Sequence, residues 1–462
     1  MNKFMSKENE FKTTIGLEIH IELKTKTKMF CDCKNGDSDS PNQYVCPICL
    51  GYPGTLPVPN KQAIQYAVML GLALGCEIPK ESKFDRKHYF YPDLPKNYQI
   101  SQYDMPFAIK GSMKIGDRTI GITRVHLEED AGKLIHPEGA SYSLVDYNRG
   151  GVPLIETVTD PDIESPGQAK QFLKDLRLIV RYLDISDADM EKGHLRCDAN
   201  ISVQRGTETT PIFEIKNLNS FRSVERALIY EAARLRDNFE ELKTQIGKRT
   251  LTWLEKSGKT QEMRQKEESA DYRYFPDPDI PVFYTHKLFD LEKIKKELPE
   301  MPEAHLKELK EKYNLSDNEA DVLLHKIKWY QYFQVAAKSA DPKQIADWMI
   351  NENLGISIAT EDLVILINAL NENKITRSFV KQVVLAELKK GKKISEIISQ
   401  ADSQLDLDKI IQKIIQENQD AVENFKKGKE TALQFLVGQV MRETRGQADV
   451  ALVAKTIKDS LK

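Results

Sequence analysis

The chain has 462 residues, 40% hydrophobic and 30% charged, with a formal net charge of −3 at neutral pH. That length exceeds what one hydrophobic core organises, so two to four globular domains are expected. The near-neutral balance excludes a protein that coats nucleic acid through bulk basicity, though it allows a local basic patch. No apolar run reaches the roughly 20 residues of a membrane span, and MNKFMSKENEFK lacks the apolar core of a secretion signal, so a cytoplasmic protein with no membrane partner is expected.

The first element is GLEIHIEL, Gly16 to Leu23, in which Leu17, Ile19, Ile21 and Leu23 alternate with Glu18, His20 and Glu22. On a strand this period of two makes one face aliphatic and the other a line of carboxylate, imidazole and carboxylate. Taken alone, such a face reads as ordinary solvated surface. The cysteines Cys31, Cys33, Cys46 and Cys49 follow, spaced C-x-C-x12-C-x2-C. Four thiolates at that spacing suit tetrahedral zinc and leave no open position, which predicts a structural Zn²⁺ site. Cys76 and Cys197 lie in apolar contexts and are expected in the core.

DRKHYFYPDLPKNYQISQYD, Asp85 to Asp104, packs Tyr89, Phe90, Tyr91 and Tyr98 among Pro92 and Pro95. Such a loop lines a pocket, stacks on a nucleobase or seals an edge of the core, and the sequence leaves these open. More alternating runs follow. ITRVHLEED sets Arg124, His126 and Glu128 opposite Val125 and Leu127, VPLIETV carries Glu156, LRCDANISV carries Asp198 and Asn200, and IFEIKNL carries Glu214 and Lys216. These faces concentrate Glu, Asp, Asn and His, with few lysines. Crowded carboxylates repel one another unless they share a cation, and Mg²⁺ with its preference for oxygen suits that role, so a metal site overtakes the surface reading. His20 suits magnesium less well and fits a water-mediated ligand or an acid or base. In DYNRGGVPLIE, Arg149 stands beside Gly150 and Gly151, whose backbone can approach a phosphate, although the spacing is not that of a P-loop.

Ser165 and Pro166 cap a helix whose Phe172, Leu176, Ile179 and Leu183 share a face, and a second helix is expected from Arg222 to Leu242. Between Asp290 and Glu303 a helical register stops at two prolines, and the chain beyond reads as successive amphipathic helices. Ser316 and Glu319 have capping-box spacing ahead of ADVLLHKIKWYQYFQVAA, and Thr376 opens a helix that stops at Gly391. Leu433, Leu436, Val437, Val440 and Met441 form a core stripe that ends at Gly446. The tail also carries FKKGK, Phe425 to Lys429, and MRETRG, Met441 to Gly446, a basic patch suited to phosphates. No G-x-S-x-G elbow or serine-lysine amidase signature is present.

Nine blocks occur in order: IGLEIHIEL, YPGTLPVPN, SKFDRKHYFYPDLPKNYQISQYD, HLEEDAGK, VDYNRGGVPLIETVTDPD, LRCDANIS, EIKNLNSF, DYRYFPDPDIP and FLVGQVM. Together they resemble the GatB family, the B subunits of the aspartyl/glutamyl-tRNA(Asn/Gln) amidotransferases. The resemblance implies an α+β fold. Residues 1–290 would form a large catalytic cradle domain on an antiparallel sheet with the cysteine-rich loop 31–49, residues 291–399 a helical domain, and residues 400–462 a small YqeY-like helical tail that contacts tRNA. It implies two protein partners, an amidase (glutaminase) subunit and a small subunit that holds the assembly together. The side-chain carboxylate of mischarged Glu-tRNA(Gln) or Asp-tRNA(Asn) would be activated with ATP and Mg²⁺ and then amidated. Carried onto this chain, Glu18, His20, Glu128, Glu129, Glu156, Asp198, Asn200 and Glu214 become the catalytic set. Glu18, His20, Glu128 and Glu156 become the magnesium ligands, with Arg149 and Lys216 on phosphate. A zinc-containing tRNA-binding scaffold and a metal-dependent nuclease or phosphatase are the rival readings.

Overall fold

The computed structural model describes residues 11–263 and 272–461 except 353, 355, 373, 389, 403–406, 445, 447 and 449. Most of MNKFMSKENEFK, Asp271 of DYRYFPDPDIP and Arg445 of MRETRG therefore lie outside the described residues. The chain divides into two compact units, Met1–Pro302 and Glu303–Lys462.

In the first unit the strands are β1 (Lys12–Glu22), β2 (Glu81–Ser82), β3 (Asp85–His88), β4 (Tyr98–Ser101), β5 (Ala108–Ile115), β6 (Arg118–Glu129), β7 (Lys133–Ile135), β8 (Leu144–Asp146), β9 (Pro153–Thr159), β10 (Leu195–Arg205), β11 (Glu208–Thr209), β12 (Phe213–Leu218), β13 (Arg249–Leu254), β14 (Lys259–Glu262), β15 (Phe275–Pro276) and β16 (Phe283–Tyr284). The main sheet runs β14-β13-β12-β10-β1-β9-β6-β5, with β11 added beside β10. It is antiparallel apart from β12 and β13, which run parallel because α3 (Phe221–Asp237) connects them. The fold is thus the expected α+β type, with one parallel pair inside the sheet.

Strand β1 sits at the centre, paired on one side with β10 and on the other with β9. Its Ile15, Leu17, Ile19 and Ile21 are buried, and they join a core that includes α1 (Lys61–Ala73), α2 (Pro166–Tyr182) and α3. The alternate residues Glu18, His20 and Glu22 face the other way and are half-buried. Helix α2 starts as its sequence predicts: the Ser165 side chain accepts the Gln168 N–H, and Pro166 occupies the first turn. Phe172, Leu173 and Leu176 are fully buried. The expected helix from Arg222 to Leu242 is shorter. It begins at Phe221 on a Ser220 cap and ends at Asn238, whose side chain donates to the Arg234 carbonyl and breaks the register before a separate turn at Phe239–Leu242. Cys76 and Cys197 are buried, as expected.

The second unit is helical. The Ser316–Glu319 capping box is formed, but the run after it makes two helices, Asp317–Leu324 and Ile327–Ala336, interrupted at His325 and Lys326. The His325 ring bonds to the Asp321 carbonyl, which also accepts the His325 N–H as the last bond of the first helix. Thr376 caps the next segment through the Phe379 N–H. Leu433, Leu436, Val437 and Val440 are buried in a separate C-terminal core, and Gly446 ends that helix at φ +76°. Among the described residues no helix is long and apolar enough to cross a membrane.

Ile19 is fully buried in the central strand, with both neighbouring strands fixed by pairing. Ile19→Ala is expected to lose about 2–5 kcal/mol of stability through the cavity it leaves. Urea unfolding followed by tryptophan fluorescence measures it, Trp253 reporting on this unit.

Candidate active site

The polar face of the sheet is built by register. Arg196 of β10, His20 of β1, Glu156 of β9 and His126 of β6 lie in one row across four strands, each opposite the next. Asp198 pairs with Glu18 in the adjacent row. A register shift in β6 between Ile122 and Arg124 completes the face. Before it the core positions are Ile120 and Ile122; after it they are Val125 and Leu127, so parity reverses and His126 and Glu128 turn to the polar side.

His20 Nε2 lies 3.2 Å from Glu128 Oε1 and 3.4 Å from Glu156 Oε2, and His126 Nε2 lies 3.1 Å from the same Glu156 oxygen. The ligand atoms of His20, Glu128 and Glu156 all lie within 4.8 Å of one another. Both carboxylates are buried, and the Ser101 hydroxyl reaches Glu128 Oε2 at 3.4 Å. Burial by itself would push the His20 imidazolium down, but the hydrogen bonds and charges of Glu128 and Glu156 outweigh it and raise its pKa to about 10. Burial would likewise raise both carboxylates, yet the imidazoles hold them below the usual range, Glu156 well below. Lys87, despite desolvation, is raised by the same two carboxylates.

Glu18 stands one row away and accepts a 2.9 Å hydrogen bond from Asn200 Nδ2, with Lys248 Nζ at 3.9 Å. Lys216 binds Asp198 at 2.6 Å and lies 3.4 Å from Glu214, which also takes Lys248 at 3.0 Å. The predicted residues thus form two neighbouring groups on one face: His20 with Glu128 and Glu156, and Glu18 with Asp198, Asn200, Glu214 and Lys216.

Glu129 is separated from both. Adjacent strand residues face opposite sides, so Glu129 turns away from Glu128, pairs with the Lys96 ammonium and accepts the Ile100 N–H at 2.9 Å. With Lys28, Phe30, Cys49 and Gly151 it lines a cavity on that side. Arg149 also lies elsewhere, its Nε paired with Asp130 Oδ2, which the Arg196 guanidinium meets as well. The Gly150 and Gly151 N–H groups are taken by the carbonyls of Tyr147 and Asp130, so this turn offers no free backbone donors to a phosphate. Arg149 Nη2 is buried and has no hydrogen-bond partner among the described residues.

His126 has a place that sequence reasoning left without a role, although its period-two spacing from Glu128 already put it on this face. Lys87, Lys96 and Lys248 come from other segments, and no local pattern announces them.

The sulfurs of Cys31, Cys33, Cys46 and Cys49 lie within 4.8 Å of one another, compatible with one tetrahedral ion. Hydrogen bonding from Cys31, the Cys46 N–H at 3.2 Å and the fully buried Lys28 ammonium at 3.9 Å lower the Cys49 thiol to about 5, while burial first and then its neighbours push Cys33 up to about 12. The loop that carries them grips residues 145–148: Asn42 Nδ2 donates to the Val145 carbonyl at 3.0 Å, the Tyr147 N–H to Asn42 Oδ1 at 2.7 Å, and Asn148 Nδ2 to the Ser40 carbonyl at 2.7 Å.

A family model described as the GatB/GatE catalytic domain matches residues 13–289, the span that contains both clusters, and one described as the GatB domain matches residues 331–461. The B subunit of the aspartyl/glutamyl-tRNA(Asn/Gln) amidotransferase from Carboxydothermus hydrogenoformans is 45% identical over 98% of this chain and 99% of its own length. Proteins of the same name from Moorella thermoacetica and Thermotoga maritima are each 43% identical, over 98% of this chain and 100% and 99% of their lengths. The chain belongs to the GatB family of aspartyl/glutamyl-tRNA(Asn/Gln) amidotransferase subunits.

The charge arrangement has a measurable pH signature in metal-free protein. Because the folded state raises the His20 pKa, its stabilising contribution is fully present below the unfolded value near 6.5 and is lost as the pH rises through about 10. Glu128→Gln removes one of its counter-charges and is expected to cost about 3 kcal/mol at pH 6, with a smaller loss at pH 10.5. Denaturant midpoints in EDTA at the two pH values measure the difference.

Proposed function

We propose that this chain performs the activation and transfer steps of a tRNA-dependent amidotransferase, a ligase that forms a carbon–nitrogen bond with glutamine as amido donor. It works in the cytoplasm as the GatB-type member of a heterotrimer, in which an amidase subunit releases ammonia and a third, small subunit completes the assembly. Its substrate is Glu-tRNA(Gln), Asp-tRNA(Asn) or both. The observation that carries the reading is the His20–Glu128–Glu156 cluster, with both carboxylates buried, inside residues that match the family's catalytic domain.

Ammonia and a free carboxylate neutralise each other, so a carboxylate oxygen must first become a leaving group. In the proposed sequence the substrate's side-chain carboxylate attacks the γ-phosphorus of ATP, ADP leaves, and an acyl phosphate forms. Ammonia then attacks the acyl carbon and expels inorganic phosphate. The cluster fits Mg²⁺ in charge and spacing: two carboxylate oxygens and one imidazole nitrogen converge, and in its absence a protonated His20 supplies the positive charge that the carboxylates require. Mg²⁺ held there would screen the triphosphate and the incoming carboxylate. Glu18, two residues before His20 on the same face of β1, would complete the shell through water. Lys216 and Lys248 bring two ammonium groups to the same face for phosphate oxygens; Asp198 and Glu214 hold them in position, and Asn200 holds Glu18. Arg149, the other residue expected on phosphate, stands apart from these lysines, paired with Asp130 beside Arg196. Glu129, on the opposite side of β6, acts outside the magnesium shell.

Glu18→Ala and His20→Ala are expected to reduce tRNA-dependent ATP hydrolysis and amide formation on the order of a hundredfold or more, while glutamine hydrolysis by the partner continues. Amidation assays of the assembled complex with each mischarged tRNA test this. Near-normal amidation by both variants refutes the magnesium assignment.

The four thiolates form a second, structural site for zinc. Lys28 and the Cys46 N–H offset the charge that four thiolates would bring to one ion. Anaerobically purified protein is expected to contain about one zinc per chain, and Cys46→Ser to lower that content and speed proteolysis within residues 31–52 more than it lowers amidation. Elemental analysis and limited proteolysis provide the two readouts.

The tail supplies a tRNA contact through its exposed lysines 426, 427 and 429 and Arg442. Removing residues from about 400 onward is expected to raise the KM for mischarged tRNA and flatten the salt dependence of binding, with little change in turnover at saturation. Unchanged affinity and salt slope in a folded truncation would give the tail an assembly role instead.

A further inference from the structure

Beside the histidine–carboxylate cluster, four tyrosines form a continuous chain of ring contacts. The centroids of Tyr89 and Tyr272 are 6.2 Å apart, those of Tyr272 and Tyr274 6.3 Å, and those of Tyr274 and Tyr103 4.5 Å. The first two contacts are edge-on; the third is a stacked pair within 16° of parallel.

The chain runs beside the proposed active site. The Lys87 ammonium lies 4.9 Å from the centre of the Tyr272 ring and interacts with the charges of Glu128 and Glu156. Burial first, and then the charge of Glu128, raises the hydroxyls of Tyr89 and Tyr274 above their usual value. Ser101, whose hydroxyl meets Glu128, precedes Tyr103 by two residues, a separation of at most about 7 Å along the backbone. Tyr103 is 56% and Tyr272 39% exposed, so the chain is open to water along its length.

The rings are held by polar anchors rather than by their own burial. The Tyr103 N–H donates to Asp85 Oδ2 at 3.0 Å, and the buried Asp85 is held by Lys83 at 2.8 Å. The His88 N–H donates to the Tyr272 carbonyl at 2.8 Å, and Arg86 ties down the same segment through Asp277 and Asp279, both at 2.8 Å. Tyr274 occupies one face of the Tyr103 ring, and the exposed remainder can take a planar group without repacking the core. Rigid aromatic surface beside a cationic side chain suits unpaired nucleotides, because every base has a stacking face and every linkage a negative charge.

We propose that this tyrosine chain is the track for the unpaired nucleotides at the 3′ end of the aminoacyl-tRNA. A base stacks on Tyr103, and the terminal sugar passes Tyr274 and Tyr272 to deliver the aminoacyl carboxylate to His20, Glu128 and Glu156. The inference rests on the amidotransferase reading and adds how the reacting group is brought to the metal site. Stacking tolerates different bases, so the track needs no sequence readout from this end of the tRNA.

The test uses the complete amidotransferase complex and an acceptor-stem RNA minihelix with 2-aminopurine in place of its terminal adenine. Wild-type and Tyr103→Phe complexes are expected to quench the fluorophore and bind with equal affinity, since phenylalanine keeps the stacking surface. Tyr103→Ala is expected to lose most of the quenching and bind about tenfold more weakly. Its ATP affinity, glutamine hydrolysis and unfolding midpoint should stay at wild-type values. No quenching by wild type, equal quenching and affinity in Tyr103→Ala, or a loss that falls on ATP instead of the minihelix each overturns the proposal. Amidation of mischarged tRNA by the same wild-type preparation separates the two levels: if it proceeds while Tyr103→Ala binds normally, only the track is wrong, and if it does not proceed, the amidotransferase reading fails first.

Discussion

Two carboxylates buried in the middle of a sheet have to be neutralised, and the first unit of this protein is arranged around that requirement. Glu128 and Glu156 would each be driven toward protonation by burial, yet both are held below the usual range because His20 and His126 reach them. The two histidines can do so only because β1 and β6 flank β9, so that His20 and His126 lie on either side of Glu156. A one-residue slip in either strand would turn the imidazoles into the core and the isoleucines into the basin. The aliphatic face therefore serves function as well as stability: Ile15, Leu17, Ile19 and Ile21 lock the register that aligns the polar groups.

The same alternation divides labour between the two sides of β6. Glu128 joins the cluster that suits a shared divalent ion, and Glu129, one residue on, is paired with Lys96 in a cavity beside the cysteine loop. That loop is tied to residues 145–148, which lead into the turn that carries Arg149 against Asp130. A structural ion held by the four cysteines would brace this turn from outside, which gives the thiolate site a mechanical connection to the basic groups near the basin without any part in the chemistry.

Much of this was legible locally. Period two in GLEIHIEL, LRCDANISV and IFEIKNL identified the strands and which residues share a face, since side-chain direction on a strand depends only on position. Caps at Ser165, Ser316 and Thr376 were equally legible, because an N-cap is a bond between a side chain and an N–H two or three residues away. Where local signals competed with other bonds they failed, as where the Asn238 side chain ends α3 early; the run that reads as one helix beyond Ser316 divides at His325. The β6 register shift was not legible, since a bulge is set by the partner strand; that Glu128 and Glu129 face opposite sides follows from their adjacency alone.

By itself, then, the sequence determined the alternation of the strands, the amphipathic helices beyond residue 300, the clustering of four thiols and, through nine ordered motifs, the family. Each of these depends on spacing along the chain or on residue identity. Only the tertiary structure decided which carboxylates meet which histidines, that Lys87, Lys96 and Lys248 supply counter-charges, that the glycine N–H groups beside Arg149 are already engaged, and that tyrosines from distant segments meet ring to ring. Those contacts join segments distant in the chain. Strand order and register bring them together, and both are set by how the whole sheet buries its aliphatic face.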